Sequence, residues 1–226
     1  MLAAAVVGGV FYVDRQASQK AQDLEREATR FLTAPSANDP QKADHALKEA
    51  IALYRQVVDQ YPRTPSAPLA LYHLGNTLVQ ANELGAAIEA YQRFLMLYSS
   101  NPSVAGLVQQ RLAYVYLLKG DRDQAVKALT SILETPGTLN RDQALFELAR
   151  LEESQSRPEG AVAHYQELIK TYPNSPFTSE ATIRTKIMDV KKAQESTPAV
   201  MSTAPAGIAP LKSPPSPPSS VDKKKP

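Results

Sequence analysis

A five-residue motif that recurs at a fixed interval constrains this chain more than any other feature. Residues 61–65 read YPRTP and residues 172–176 read YPNSP, and the two copies begin 111 residues apart, which is three intervals of 37. The intermediate positions carry weaker copies, YSSNP from residue 98 and TPGTL from residue 135. A chain that repeats such a motif every 37 residues is expected to form an array of similar units rather than one closed core.

Each copy of the motif combines a helix stop with a helix start. Thr64, Asn101 and Ser175 are residue types that cap helix N-termini, and each stands directly before a proline. Proline is tolerated at the first helical position because its missing N–H has no partner there. The earlier prolines, Pro62 and Pro173, disfavour helical geometry at the tyrosine before them. The prolines predicted to open helices are Pro65, Pro102 and Pro176.

The rest of the chain between residues 15 and 192 has the composition and apolar spacing of helices, and no segment reads as a strand. Residues 15–33 predict one helix, residues 34–41 a loop, and Asp39-Pro40 a further capped start. Helix-breaking sequences fall twice in each 37-residue interval, so the predicted unit is helix, turn, helix. The predicted breaks are residues 61–65, 80–84, 98–102, 119–121, 135–140, 156–159 and 172–176.

The second helix of each unit carries one pattern. An alanine is followed directly by a β-branched apolar residue and, four positions after the alanine, by a large residue on the same helical face. The large residues are therefore predicted to fill the space between units, as core rather than as cofactor ligands. The alanine and large-residue pairs are Ala50 and Tyr54, Ala87 and Tyr91, Ala125 and Leu129, and Ala161 and Tyr165.

These features resemble the tetratricopeptide repeat family, which pairs Leu-Gly on a first helix with Ala-x-x-x-aromatic and a late proline on the second. The resemblance covers about residues 42–193 and implies an all-α fold, an α-solenoid of stacked helix-turn-helix repeats. The unit with Leu112, Ala113, Ala125 and Leu129 departs more from the pattern. The residues that carry the resemblance are Leu71, Leu74, Gly75, Ala87 and Tyr91 in one unit, and Leu145, Leu148, Ala149, Ala161, Tyr165 and Pro173 in another.

The resemblance also implies where partners bind. First helices line the concave face of such solenoids, which takes an extended peptide or a partner helix. Aromatic residues and arginine are typical anchors of interfaces, although several residues in this register would instead pack between repeats. Members that clamp a peptide's terminal carboxylate use lysine and asparagine here; Asn76 matches but Tyr72 replaces the lysine, so no such clamp is expected. The predicted groove residues are Tyr72, Asn76, Gln80, Gln110, Tyr114, Leu117, Phe146, Arg150 and Glu153.

The sequence offers no catalytic constellation. Cysteine is absent, and His45, His73 and His164 lack the spacing of metal ligands. No glycine-rich phosphate loop and no Gly-x-Ser-x-Gly motif is present. We therefore expect a non-enzymatic protein with no cofactor and no metal. Apart from the last fifteen residues, the chain carries 21 basic and 22 acidic residues, a near-neutral balance that argues against nucleic-acid binding.

The two ends differ from the repeats. Residues 1–13 contain an uncharged, mostly apolar run that is shorter than the roughly 20 residues needed to cross a bilayer. We interpret it as the remnant of a membrane anchor; the alternative is an apolar start that packs on the first helix. Residues 14–193 form the predicted repeat domain. Residues 194–226, rich in proline, serine and terminal lysines, predict a disordered tail that acts as a spacer or, at residues 214–218, as a polyproline II ligand.

The motif YPxSP also looks like the junctions of bacterial envelope members of the family, including single-span translocon-associated, outer-membrane assembly and division-coordinating proteins. This resemblance implies a scaffold held at the bacterial inner membrane, with its repeats in the periplasm and its groove open to other proteins. Two alternatives remain at this point. One is a soluble cytoplasmic adaptor, and the other is an accessory subunit that positions an enzyme partner.

Overall fold

The computed structural model describes residues 2–33 and 39–196, and in these two ranges every regular element is an α-helix. The prediction of an all-α fold is therefore confirmed. The predicted tail lies outside the described residues from residue 197 onward. In chain order the helices are α1 (Leu2–Thr33), α2 (Pro40–Gln60), α3 (Ser66–Gln80), α4 (Leu84–Tyr98), α5 (Pro102–Lys119), α6 (Arg122–Glu134), α7 (Arg141–Ser154), α8 (Pro158–Thr171) and α9 (Thr178–Ser196).

The helices pack in a row, each against its neighbours in sequence. Four hairpins form from α1 and α2, α3 and α4, α5 and α6, and α7 and α8, and each second helix then packs on the first helix of the next hairpin. α9 packs on α8, and α1 also reaches α3. This is the arrangement of a solenoid, in which each unit buries its apolar face only against the adjacent units.

The tyrosines predicted to be core are buried. Tyr54, Tyr91 and Tyr165 are 0%, 1% and 0% exposed. Tyr91 also explains why a glycine stands on the facing helix, because a Cβ atom built on Gly75 would lie 2.5 Å from the Cε1 atom of its ring. The small residue on the first helix is thus the space into which the aromatic ring of the second helix fits.

Two of the predicted helix starts have the expected caps. The Oδ1 atom of Asp39 accepts hydrogen bonds from the backbone N–H groups of Gln41 and Lys42, and α2 begins at Pro40. In the same way, the Oδ1 atom of Asn101 accepts hydrogen bonds from the backbone N–H groups of residues 103 and 104, and α5 begins at Pro102. Both side chains satisfy donors that the first helical turn leaves unpaired.

The predicted starts at Pro65 and Pro176 are wrong, because α3 begins at Ser66 and α9 at Thr178. The Thr64 hydroxyl donates to the carbonyl of Tyr61 instead of accepting from the helix. The backbone first closes two short turns, with N–H groups of residues 64 and 67 bonded to carbonyls three residues earlier. The threonine side chain therefore stabilises the turn, and the helix starts after it. The Ser175 hydroxyl donates to the carboxylate of Asp142 and accepts from the backbone N–H of Phe177, which precedes α9.

The first helix continues through the predicted boundary at residue 13. Its buried contacts come from Ala21 and Ala28, both 0% exposed, whereas Phe11, Tyr12 and Val13 are each about two-thirds exposed. Within the described ranges, no helix combines the length and the apolar character that a membrane crossing requires. α1 therefore serves as the first helix of the first hairpin and also extends beyond the α2 contact.

Candidate partner-binding groove

Two recesses lie side by side along the first helices. The α3–α5 recess has a volume of about 380 Å³ and the α5–α7 recess one of about 320 Å³. Arg111 and Tyr114 line both, so the two recesses meet at α5 and form one groove. Five of the nine predicted groove residues lie in it: Asn76, Gln80, Gln110, Tyr114 and Leu117.

The α3–α5 recess has a polar floor. The buried hydroxyl of Tyr91 donates to the Oδ1 atom of Asn76 at 2.7 Å. Burial raises the pKa of Tyr91 far above its usual value, so this hydroxyl stays protonated and remains a donor. The amide nitrogen of Asn76 has no partner among the described residues, which leaves its N–H donors for a ligand. The other lining residues are Leu32, His73, Thr77, Val79, Gln80, Arg111 and Tyr114.

The α5–α7 recess is built differently. Its most buried members are Leu129 and Ala113, at 1% and 2% exposed, so carbon atoms form its floor. Gln110 on its wall is held by Asn140, whose Nδ2 atom donates to the Gln110 Oε1 atom at 3.0 Å. The remaining lining residues are Leu107, Arg111, Tyr114, Leu117, Gln143 and Glu147.

The wall shared by the two recesses carries the side chains most available to a partner. Tyr114 is 52% exposed although it is aromatic. Arg111 is also exposed and has no hydrogen bond or ion pair within residues 2–33 and 39–196. An unpaired guanidinium beside an exposed phenol is a combination found in the anchoring residues of protein interfaces.

The other four predicted residues do not line these recesses. Tyr72 is half-buried between the rings of His73 and Tyr91. Arg150 is exposed, pairs with Glu147 at 3.8 Å and stands 6.0 Å from the centre of the Phe146 ring. The predicted residues on α7 therefore do not line the groove.

Phe146 and Glu153 are occupied by the stack itself. Phe146 is 4% exposed and stacks on Phe177 with ring centres 5.0 Å apart, so it packs between units and offers no surface. Glu153 accepts hydrogen bonds from the Tyr165 hydroxyl at 2.8 Å and from Arg184 at 2.9 Å. These two residues therefore pack between repeats, which is the alternative that the sequence analysis gave for this register.

Sequence reasoning missed an apolar stripe on α9. Ile183, Ile187 and Val190 are 59%, 61% and 58% exposed and follow one another at helical spacing. They stand 37 residues after Phe146, Arg150 and Glu153, so they continue the same register by one more unit. The interval of 37 was the signal, and treating this segment only as an end cap concealed it. Arg111 was missed although it lies one residue after the predicted Gln110.

No group of three histidine, aspartate or glutamate side chains in the described part of the chain is placed to hold a metal ion. The stacked His73 is half-buried beside the Tyr54 ring, with ring centres 5.7 Å apart. Burial lowers the pKa of His73, so this imidazole is neutral at physiological pH. The groove therefore offers hydrogen bonding, apolar contact and one open cation.

Comparisons with known proteins agree with this architecture. A family model described as a tetratricopeptide repeat matches residues 36–102 and 111–176. A solved tetratricopeptide repeat protein from Parabacteroides merdae is 15% identical over 78% of this chain, with a TM-score of 0.59; this chain covers 62% of that protein. MamA from Desulfovibrio magneticus, residue 41 to the end, is 16% identical, with a TM-score of 0.52 and coverage of 78% and 98%. No curated protein sequence matches the chain. At such identities the structural likeness shows the fold.

Proposed function

Because this chain belongs to the tetratricopeptide repeat family, whose stacked helices generally bind other proteins, we propose that it is a non-enzymatic scaffold that holds a segment of a partner in the groove of α3, α5 and α7. The observation that carries the proposal is the wall shared by the two recesses. There Arg111 and Tyr114 stand exposed, while the buried Tyr91 hydroxyl beside them is bonded to Asn76 within the fold.

The geometry favours an extended segment that crosses the first helices. The two recesses follow one another from α3 across α5 to α7, so one extended chain can occupy both. Beyond α7, the exposed Ile183, Ile187 and Val190 on α9 could offer apolar contact to a longer segment.

Site-specific photocrosslinking tests the proposal. A benzophenone amino acid at Gln80 or Tyr114, which line the groove, is expected to capture a discrete partner in living cells. The same amino acid at Met96, which is 74% exposed on the second helix α4, serves as the matched control outside the groove. Purified partner and scaffold must then form the same crosslink. Equal capture from Met96 and from the groove positions would count against the groove.

We further propose that the scaffold is held at a bacterial inner membrane by its N-terminus, with the repeats in the periplasm. The support is the apolar run of residues 2–13 and the exposure of Phe11, Tyr12 and Val13 where α1 extends past its contacts. Expression from the natural start, followed by fractionation, is expected to place the chain in the membrane fraction. Recovery entirely in the cytoplasmic fraction would favour the soluble adaptor. A pull-down with this chain that consistently recovers an enzyme would favour the accessory subunit.

A further inference from the structure

The four second helices differ at one position that lies under the groove. Three units place a tyrosine there, and each hydroxyl is bonded to a side chain of the first helix in its own hairpin. The third unit places Leu129 at this position and has no hydroxyl to offer. The bonded pairs are Tyr54 with Thr29 at 3.1 Å, Tyr91 with Asn76 at 2.7 Å, and Tyr165 with Glu153 at 2.8 Å.

This substitution changes the chemistry of one recess and not of its neighbour. The α3–α5 recess ends on the bonded Tyr91 hydroxyl and Asn76, whereas the α5–α7 recess ends on Leu129 and Ala113. A polar side chain placed on the apolar floor would lose water without gaining a hydrogen bond there, which is costly. An apolar side chain at the same place gains from burial. The floor of the α5–α7 recess therefore favours an apolar side chain of the partner over a polar one.

The rim of this recess favours a charged residue of the partner. Glu147 already has a cationic partner, Arg150, at 3.8 Å. Arg111 has no such partner within the described ranges and stands where the two recesses meet. A guanidinium binds a carboxylate through two parallel hydrogen bonds and has no acceptor of its own to offer. The complementary group on a partner is thus an aspartate or a glutamate.

We propose that the α5–α7 recess is a specificity subsite that takes one large apolar side chain of the bound segment, while Arg111 pairs with an acidic residue next to it. The inference rests on the proposed function, because it assumes a peptide in the groove. A recess of about 320 Å³ has room for one large apolar side chain.

The repeat itself supplies a variant that alters this floor and keeps the fold. Leu129→Tyr restores the residue that the other three units carry at this position. In the fourth unit Tyr165 and Ala149, which corresponds to Ala113 in the third unit, are both fully buried, so the ring and an alanine are compatible in that unit. Arg111→Gln changes only an exposed side chain. Tyr165→Phe, at a tyrosine that lines neither recess, is the matched control for a change at a buried hydroxyl.

The experiment uses a displayed library of random twelve-residue peptides and the full-length chain. The wild type is expected to enrich peptides in which a leucine, isoleucine, methionine or phenylalanine stands beside an acidic residue. Leu129→Tyr should remove the apolar preference and weaken a selected peptide roughly tenfold or more. Arg111→Gln should remove the acidic preference and make the remaining binding less sensitive to salt. Tyr165→Phe should leave both preferences intact, and thermal melting checks that each variant is folded.

The outcomes separate this inference from the proposed function. If selected peptides bind the groove, as shown by competition with crosslinking at Tyr114, but Leu129→Tyr and Arg111→Gln leave their sequences unchanged, the subsite is wrong and the scaffold function stands. If the library yields no peptide that competes at Tyr114, both are wrong. Should Leu129→Tyr fail to fold, Arg111→Gln alone decides, since loss of the acidic preference supports the subsite and its retention overturns it.

Discussion

At the scale of single residues, three large tyrosine side chains are buried between helices and each of their hydroxyls has a hydrogen-bond partner. A buried hydroxyl without a partner costs free energy, and each of the three inter-helix tyrosines avoids this by a bond to a different side chain, threonine, asparagine or glutamate. The ring contact recurs because the units stack alike, while the polar partner varies from unit to unit. Asn76 also lines the α3–α5 recess, so in that unit the polar partner affects what the groove presents.

Gly75 is the residue where the ring contact leaves least room. Gly75→Ala would place a Cβ atom 2.5 Å from the ring of the fully packed Tyr91, and overpacking of this kind costs about 1–3 kcal/mol of unfolding free energy. Gly85 is the matched control, because a Cβ atom there meets nothing within 4 Å. Gly85→Ala should leave stability unchanged or raise it by up to about 1 kcal/mol. Urea unfolding of both variants measures the difference, and equal midpoints would refute the packing argument.

His73 gives the stability of the fold a pH dependence. Burial lowers the pKa of His73 in the folded state below its usual value near 6.5. As pH falls below that value, the unfolded chain binds the proton first, so the free energy of unfolding decreases. His73→Phe keeps an aromatic ring against Tyr54 but cannot titrate. Urea titrations at pH 7.5 and 5.5 should show a smaller loss for this variant than for the wild type, and equal losses would contradict the assignment.

At the scale of elements, the sequence predicted where helices stop better than how they start. Six of the seven breaks contain a proline or a glycine, whose effects on the backbone are local. The break at residues 80–84 contains Asn82 instead, which has a φ of 59°. The role of Thr64 did not, because a threonine before a proline suits both a cap and a turn, and the choice depends on which backbone group its hydroxyl reaches. The carbonyl of Tyr61 lies within 2.8 Å of that hydroxyl, and only the folded junction brings the two together.

The cap at Asn101 offers a test at this scale. Asn101→Ala removes the acceptor for the N–H groups of residues 103 and 104 and is expected to lower the free energy of unfolding by about 1 kcal/mol. Asn101→Gly should cost only a few tenths of a kcal/mol, because glycine is itself tolerated at this position. Thermal and urea unfolding measure both variants. A glycine variant as unstable as the alanine variant would show that Asn101 does not act through capping.

At the scale of the whole molecule, the interval of 37 predicted the stack of helices and five residues that line the recesses. It did not predict which first-helix residues are buried between neighbouring units. Phe146 and Gln110 occupy equivalent places by register, yet Phe146 is buried against Phe177 whereas Gln110 lines the α5–α7 recess. The difference arises from the neighbouring unit, since Phe177 precedes α9 and covers Phe146. Periodicity specifies positions, whereas exposure depends on the particular side chains of the next unit.

The linear packing predicts that a disturbance at one end stays near that end. Ala181 on α9 is 0% exposed against α8, so Ala181→Glu would bury a charge at this contact and separate α9 from the stack. Hydrogen exchange is then expected to rise across α9, less across α7 and α8, and not across α2 to α4, because stability in a solenoid is a sum of units and nearest-neighbour contacts. Ser179→Glu, on the exposed side of the same helix, controls for the added charge and should leave exchange unchanged. Faster exchange throughout α2 to α4 would instead mean that the helices unfold as one cooperative body, because loss of the last contact would then destabilise helices that do not touch it.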